Sequence, residues 1–284
     1  MPATPTSSSG PIGVFDSGIG GLTVVAALRE LLPAEDIFYI GDTARVPYGG
    51  KGRETIERYT LEIADLLVAE GAKAIVVACN TATALAVPKL QQVVSVPSVG
   101  VIMPGAAAAA TTTRNGRVGV IGTRATITSG AYERALRACQ ADLEVHVLAC
   151  PLLVPLVEEG WLDDPVTDQV VERYLTPLLA AGIDTLVLGC THYPFVRESI
   201  ARFLGSGITI VDSARNCALA TQALLSANGL NATPDRKGTL HVALTDPSGA
   251  FLEVAERQLG LGILDVQVRS VRATKTLEPR NSHE

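Results

Sequence analysis

The chain has 284 residues, of which 47% are hydrophobic and 18% charged, and its formal net charge is -6. This balance is typical of a globular protein with a sizeable core and excludes a disordered chain. The acidic residues are scattered and there is no basic stripe, which argues against nucleic-acid binding through phosphates. At roughly 150 residues per domain, the length allows one large or two medium domains.

The N-terminal segment MPATPTSSSG has neither a basic region nor an apolar core, so it does not resemble a secretory signal peptide. Gly, Pro or charged residues interrupt the apolar stretches well before the ~20 residues that a membrane helix needs. We therefore expect a soluble, cytoplasmic protein with no membrane partner. Residues 1–10 and 273–284 are expected to be flexible termini.

Short apolar runs rich in β-branched residues alternate with amphipathic helical patterns along the chain. The predicted strands are residues 11–17, 36–42, 74–80, 98–102, 117–123, 144–150, 185–191, 208–214, 239–246 and 264–270. The clearest predicted helices are residues 21–32, 53–72 and 166–182. Strands that alternate with helices predict an α/β fold with mostly parallel sheets.

A weak internal repeat divides the chain into two halves. Residues 13–17 resemble residues 119–123, and residues 78–81 resemble residues 189–192, with offsets of 106 (119 − 13) and 111 (190 − 79). Any two strand–helix units look partly alike, but similar offsets favour two similar α/β domains that face each other across a cleft. The predicted domains are residues 11–103 with 214–272, and residues 104–213.

The cysteines are spread widely and do not form a framework. An odd number at wide spacing argues against disulfides, and no group of Cys and His has the spacing of a structural zinc site. Each is therefore a small core residue or a reactive thiol. The five cysteines are Cys79, Cys139, Cys150, Cys190 and Cys217.

Two of these cysteines end predicted strands in matching places of the two halves. Cys79 ends the run AIVVAC and Cys190 ends the run TLVLGC, each with a threonine one or two positions later. Reactive groups in parallel sheets lie at the carboxyl ends of strands, and a cysteine at a helix start has a lowered pKa. One such segment is more simply explained by a buried structural cysteine, whereas two favour a site. Thiols on opposite faces of one carbon are the acid and base that inversion requires.

The loop FDSGIGG (15–21) also follows a predicted strand and opens a helix. Its glycines can direct backbone N–H groups at an anion beside Asp16 and Ser17. An ordinary glycine-rich turn capped by Asp16 has the same pattern. The loop matches neither the dinucleotide fingerprint nor a P-loop.

Two other segments hold polar groups whose role the pattern leaves open. In GDTARVPYGGK (41–51), Asp42, Tyr48 and Gly49 could line the same cleft, but a surface loop shaped by proline and glycine is favoured on this evidence alone. Glu158 follows an apolar, proline-bounded segment and could reach the cleft. From spacing alone, a solvated glutamate at a helix end is the simpler interpretation.

Six ordered motifs together carry a resemblance to a known family. They are FDSGIGGLTV, YIGDTARVPYG, VVACNTATA, CPLLVPLVEEG, LGCTHYPF and VDSA, and they span about residues 12–215. With them the chain resembles the bacterial glutamate racemases of the cofactor-independent aspartate/glutamate racemase superfamily. The resemblance implies two α/β domains with the site between them. We also expect a hinge near residues 103 and 213 that lets the cleft close.

The resemblance also implies an activity: glutamate is racemised at Cα by two thiols without a cofactor, supplying D-glutamate for peptidoglycan. Cys79 and Cys190 match the paired catalytic cysteines, the first acting on D-glutamate and the second on L-glutamate. Asp16 matches the group that assists the first thiol, and Glu158 and His192 match those that assist the second. The matched substrate-binding positions are Asp16, Ser17, Tyr48, Gly49, Asn80, Thr81, Thr123, Thr191 and His192, with Thr126 as a further candidate.

The chemistry constrains the site further. An amino-acid Cα–H is a very weak acid, so a carbanion-like transition state has to be stabilised by hydrogen bonds in a closed cleft. We expect neutral donors to hold the substrate, and the two sulfurs to lie roughly 6–9 Å apart with one carbon between them. The oligomeric state is left open, a homodimer included.

Other interpretations compete with this one. An aspartate racemase or another superfamily relative would also carry CNTAT and GCTHYP, although the full FDSGIGG and GDTARVPYG motifs favour glutamate. A non-enzymatic two-domain protein that binds a small molecule, with structural cysteines, is a second alternative. A redox or zinc protein is a third, for which the number of candidate ligands is poor.

Overall fold

A computed structural model of the protein describes residues 8–247, 251, 255, 258–263 and 266–271. Of the expected flexible termini, residues 1–7 and 273–284 lie outside the described residues. Residues 8–10 form part of a turn, and the carbonyl oxygen of Ser8 accepts a hydrogen bond from the buried Lys73 Nζ at 2.8 Å. The packed part of the chain therefore begins earlier than the sequence indicated.

The predicted strands are all present among the described residues, each within three residues of its expected bounds. Residues 264–265 of the last one lie outside the described part. The strands are β1 (Ile12–Asp16), β2 (Ile37–Gly41), β3 (Ala74–Val77), β4 (Ser98–Gly100), β5 (Arg117–Gly122), β6 (Glu144–Ala149), β7 (Thr185–Gly189), β8 (Thr209–Asp212), β9 (Leu240–Leu244) and β10 (Val266–Val268).

The three predicted helices are confirmed, and further helices fill the segments between the strands. They are α1 (Leu22–Leu31), α2 (Arg53–Ala69), α3 (Asn80–Val93), α4 (Ile102–Thr112), α5 (Arg124–Thr128), α6 (Ala131–Cys139), α7 (Leu153–Glu158), α8 (Pro165–Ala180), α9 (Arg197–Leu204) and α10 (Ser213–Ala227). Short 3-10 turns occupy Thr43–Arg45, Tyr48–Gly50 and Tyr193–Val196.

The strands form two sheets whose pairings are all parallel. The first sheet has the order β10-β9-β2-β1-β3-β4, and the second has the order β6-β5-β7-β8. Every residue of β1, β2, β3 and β7 is buried, because helices cover both faces of these central strands. This explains why these runs are continuously apolar rather than alternating.

The internal repeat is confirmed by the strand order. The series β2-β1-β3-β4 in the first sheet has the same arrangement as β6-β5-β7-β8 in the second, so β1 corresponds to β5 and β3 to β7. The chain reaches the second sheet after β4 and returns through α10, which packs against α1 and α4. In each sheet the connections run in opposite directions on either side of the central strand, where parallel α/β sheets bind ligands.

In the part of the chain that the structure describes, no helix combines the length and apolarity needed to cross a bilayer.

Candidate active site

A cavity of about 440 Å³ lies where the carboxyl ends of β1 and β3 face those of β5 and β7. Both thiols singled out in the sequence open onto it, one from each sheet. Its lining consists of Ser17, Val46, Pro47, Tyr48, Gly49, Gly50, Cys79, Asn80, Thr81, Thr123, Arg124, Pro151, Val154, Pro155, Glu158, Cys190, Thr191 and His192. The expected meeting of the two halves around one site is therefore observed.

Cys79 lies between the end of β3 and the start of α3, and only 4% of its surface is exposed. Its thiol donates to Ser17 Oγ at 3.8 Å. The helix start was expected to lower the pKa of this thiol, but the expectation is wrong. Burial raises the pKa of Cys79, and the charge of Asp16 raises it further. At neutral pH Cys79 is therefore a protonated thiol.

On the opposite wall, Cys190 follows β7 and lies beside a buried imidazole. Its Sγ is 3.9 Å from His192 Nδ1, and Nε2 of that ring is 3.4 Å from Glu158 Oε1. Burial lowers the pKa of His192, but the neighbouring Cys190 and the Glu158 carboxylate outweigh it and raise this pKa to about 10. His192 is thus an imidazolium at neutral pH and can exchange a proton with Cys190. Glu158 lines the cavity, as the family motif implied, although it is the last residue of α7 and its side chain remains 35% exposed.

The Glu158 carboxylate should raise the pKa of the His192 imidazole. We expect Glu158→Gln to lower the pKa of His192, because the variant loses the anionic partner of the imidazolium while burial continues to oppose the charge. His192 would then lose its positive charge at a lower pH than in the wild type. NMR titration of the imidazole signals measures this, with the His192 signal identified by its absence in His192→Gln.

Glu159→Gln is the matched control, since Glu159 is the exposed neighbour on the same turn and lies outside the cavity lining. It should leave the titration of His192 unchanged. An equal shift in both variants, or none in Glu158→Gln, would contradict the assigned pairing.

Asp16 is buried and does not line the cavity. Its Oδ2 accepts from the backbone N–H of Gly18 at 2.9 Å, and its Oδ1 accepts from Thr191 Oγ1 at 3.2 Å. The carboxylate therefore lies behind the wall and joins the loop after β1 to the loop after β7. It acts on the charge of Cys79 from there rather than from within the cavity.

Tyr48 and Gly49 line the cavity, so the surface-loop interpretation of residues 41–51 is wrong for them. The Tyr48 hydroxyl points away from the cavity and donates to the buried Asp42, which also accepts from Arg45 Nε at 2.7 Å and Thr245 Oγ1 at 2.9 Å. Tyr48 thus offers its ring and backbone to a ligand, and Asp42 fixes the loop from behind.

Three threonine hydroxyls join the two halves beside the cavity. Thr81 Oγ1 lies 3.0 Å from Thr123 Oγ1 and 3.3 Å from Thr126 Oγ1, and the latter two are 2.9 Å apart. A Cβ on Gly49 would come within 2.6 Å of Thr123 Cβ, so the two walls touch here as well. The candidate Thr126 belongs to this hydroxyl cluster but not to the lining.

Some lining residues were not identified from the sequence. Pro151, Val154 and Pro155 lie in the CPLLVP motif, whose apolar character gave no chemical signal. Arg124 is exposed at the first position of α5, directly after Thr123. We expected only uncharged side chains to hold the substrate, and the presence of this arginine in the lining differs from that expectation.

Comparison with known proteins agrees with this geometry. The model of the family described as Asp/Glu/Hydantoin racemase matches residues 12–221. The glutamate racemase of Geobacter metallireducens is 49% identical over 264 residues, covering 93% of this chain and 98% of that protein. The glutamate racemase of Neisseria meningitidis serogroup B is 48% identical, covering 92% of this chain and 97% of that protein.

Solved structures give the same result. A glutamate racemase isoform from Bacillus anthracis superposes with a TM-score of 0.87 at 41% identity, covering 94% of this chain and 98% of that one. The Francisella tularensis glutamate racemase in complex with D-glutamate has a TM-score of 0.87 at 36% identity and covers 94% and 100%. With a family match over more than half of its length and relatives of almost 50% identity, this chain belongs to the Asp/Glu/Hydantoin racemase family.

Proposed function

We propose that this chain interconverts L-glutamate and D-glutamate by proton transfer at Cα between two thiols, without a cofactor, and so supplies D-glutamate for peptidoglycan. The observation that carries the proposal is that Cys79 and Cys190 line one cavity from opposite sheets. A carbon bound between them has one thiol on each face, which is the arrangement that two-base racemisation needs.

For L-glutamate the two sides have matching roles. Cys190, as a thiolate, takes the Cα proton, and the electron pair of the broken C–H bond stays on the substrate. Cys79, as a thiol, gives its proton to the opposite face and becomes a thiolate. D-glutamate leaves, and solvent exchange or the reverse reaction restores the starting protonation. Starting from D-glutamate, the two thiols exchange these roles.

The neighbouring groups support these steps. In the proposal the His192 imidazolium and Glu158 assist proton transfer at Cys190. Asp16 assists proton transfer at Cys79 from behind the cavity wall. Substrate carboxylates and ammonium are held by the polar groups of the lining, which are Ser17, Asn80, Thr81, Thr123 and Thr191, with the backbone of Tyr48 and Gly49. Because these polar side chains are themselves buried, their hydrogen bonds act where water competes little.

Glutamate is favoured over aspartate as the substrate by the relatives of almost 50% identity, which are glutamate racemases. The likeness to an aspartate racemase of Picrophilus torridus, at 20% identity, concerns the fold alone.

The proposal includes the domain division, which is residues 11–103 with 214–272 and residues 104–213. Each of these units contains one of the two sheets. It also includes a cytoplasmic location, because two working thiols suit a reducing compartment. A homodimer remains compatible with the site, whose lining comes from one chain.

Incubation of the purified protein with L-glutamate in D2O tests the proposal. We expect optical rotation to decay while deuterium enters D-glutamate, and residual L-glutamate to keep its proton early in the reaction. That asymmetry follows because the second thiol carries a solvent-derived proton and delivers it to the other face. A protein that binds glutamate but changes neither rotation nor isotope content would be a binder, and turnover of aspartate instead would identify the other substrate.

A further inference from the structure

Tyr132 joins the two halves of the molecule at a point just behind the cavity. It lies on α6 in the second half, and its side chain is fully buried. The hydroxyl donates to Asn80 Oδ1 at 2.7 Å and lies 3.2 Å from Ser213 Oγ. Asn80 begins α3 in the first half, and Ser213 begins α10, where the chain returns from the second half to the first.

Only one end of the Asn80 side-chain amide, its carbonyl oxygen, has a hydrogen-bond partner among the described residues. Its Oδ1 is occupied by Tyr132, whereas its Nδ2 is buried and has no partner among the described residues. Asn80 is 2% exposed and lines the cavity beside Cys79. A buried N–H without a partner is unfavourable, so an acceptor atom in the cavity would complete the hydrogen bonds of this amide.

Tyr132 determines which end of the amide remains available. Burial raises the pKa of Tyr132, so its hydroxyl keeps its proton and can donate to Asn80. The carbonyl end is thereby held at the tyrosine and the two N–H bonds of Nδ2 are left over. With the amide reversed, Oδ1 would take the place of the donor and would repel a carboxylate.

The tyrosine ring is held against the strand that carries the other thiol. A Cβ on Gly189, the last residue of β7, would lie 2.9 Å from Tyr132 Cε2. The ring therefore packs on the backbone one residue before Cys190, while the hydroxyl reaches the residue after Cys79. This packing fixes the hydroxyl relative to both thiols.

We propose that Tyr132 is a positioning residue for racemisation, which holds the Asn80 amide with its N–H groups toward the cavity so that they bind a carboxylate of the substrate. This inference rests on the proposed glutamate racemisation. It concerns a residue that does not line the cavity and acts through one that does.

Tyr132→Phe tests the inference because it removes the hydroxyl and keeps the ring against Gly189. We expect the KM for glutamate to rise about tenfold with a smaller change in kcat, the effect of losing one hydrogen bond to a charged group. The equilibrium constant between enantiomers is unity, so kcat/KM has to fall equally in both directions. An unchanged KM in a folded variant would overturn the inference.

A double-mutant cycle separates positioning from general structural damage. In an Asn80→Ala background, Tyr132→Phe should have almost no further effect on KM, because the amide that it orients is gone. Equal effects in both backgrounds would overturn the inference. Ser213→Ala is the control: Tyr132 still donates to Asn80 in that variant, so KM should stay near the wild-type value.

Asn80→Asp gives an independent test should Tyr132→Phe fold poorly. One carboxylate oxygen can still accept from Tyr132, but the other replaces the N–H donor and repels the substrate, so KM should rise at least tenfold. An unchanged KM would show that the amide does not donate to substrate. A wild-type protein inactive on glutamate would refute the proposed function itself, and the two failures are therefore distinguishable.

Discussion

Cys79→Ser and Cys190→Ser should each lower kcat for glutamate racemisation by about 10³-fold or more in both directions. Removal of a general acid or base usually reduces rates 10²–10⁴-fold. Here each direction uses both groups, so neither variant retains a complete route. A serine hydroxyl occupies nearly the same volume as the thiol but ionises far less readily. Circular dichroism of the substrate measures racemisation, and thermal unfolding checks the fold.

Cys139→Ser is the matched control for these variants. Cys139 is exposed at the end of α6 and lies outside the cavity lining, so its replacement should leave kcat and KM near the wild-type values. A Cys79 or Cys190 serine variant that racemises glutamate within a few-fold of the wild-type rate would refute the two-thiol mechanism.

The sheets were predictable because their signals are local. Runs such as 74–80 and 185–191 are continuously apolar and rich in β-branched residues, as strands buried on both faces are. The internal repeat also placed Cys79 and Cys190 at corresponding strand ends, and the strand orders of the two sheets bear this out. The edges of the elements differ by up to three residues, since turn geometry rather than hydrophobicity determines where a strand ends.

The features that sequence reasoning missed depend on contacts between distant segments. The raised pKa of Cys79 follows from burial and from Asp16, which outweigh the helix start that the local pattern shows. The Tyr48 hydroxyl is directed at Asp42 and not at the cavity. Tyr132 reaches Asn80 across 52 positions of the chain. The spacing of residues within a motif does not indicate any of these arrangements.

The close contact between the two halves also makes a glycine indispensable. Gly20 lies in the turn after β1, and a Cβ there would come within 2.8 Å of both the backbone carbon of Thr191 and His192 Nδ1. Real Cβ atoms essentially never approach other heavy atoms this closely, and a backbone atom cannot move aside by changing rotamer. The loops after β1 and β7 would have to separate.

We therefore expect Gly20→Ala to lower kcat/KM for glutamate about 100-fold, because displacing reacting groups by about 1 Å has effects of this size. The same displacement would lengthen the hydrogen bond from Thr191 Oγ1 to Asp16 Oδ1, which is now 3.2 Å. It would also move His192 away from Cys190. Kinetics in both directions measure the loss. Thermal unfolding should change much less, since the clash lies between loops and outside both sheets.

Gly52→Ala is the matched control for this prediction. Gly52 also precedes a helix, but no heavy atom of the described residues lies within 4 Å of the Cβ it would gain, and its φ of -73° suits alanine. It should retain wild-type kcat/KM. If Gly20→Ala behaved like Gly52→Ala, the loops after β1 and β7 could not be in contact during turnover. The two thiols would then have to reach the substrate through some other movement of the two halves. If only Gly20→Ala fails, the distance between the two walls is itself a requirement of the reaction, as proton transfer from opposite faces of one carbon demands.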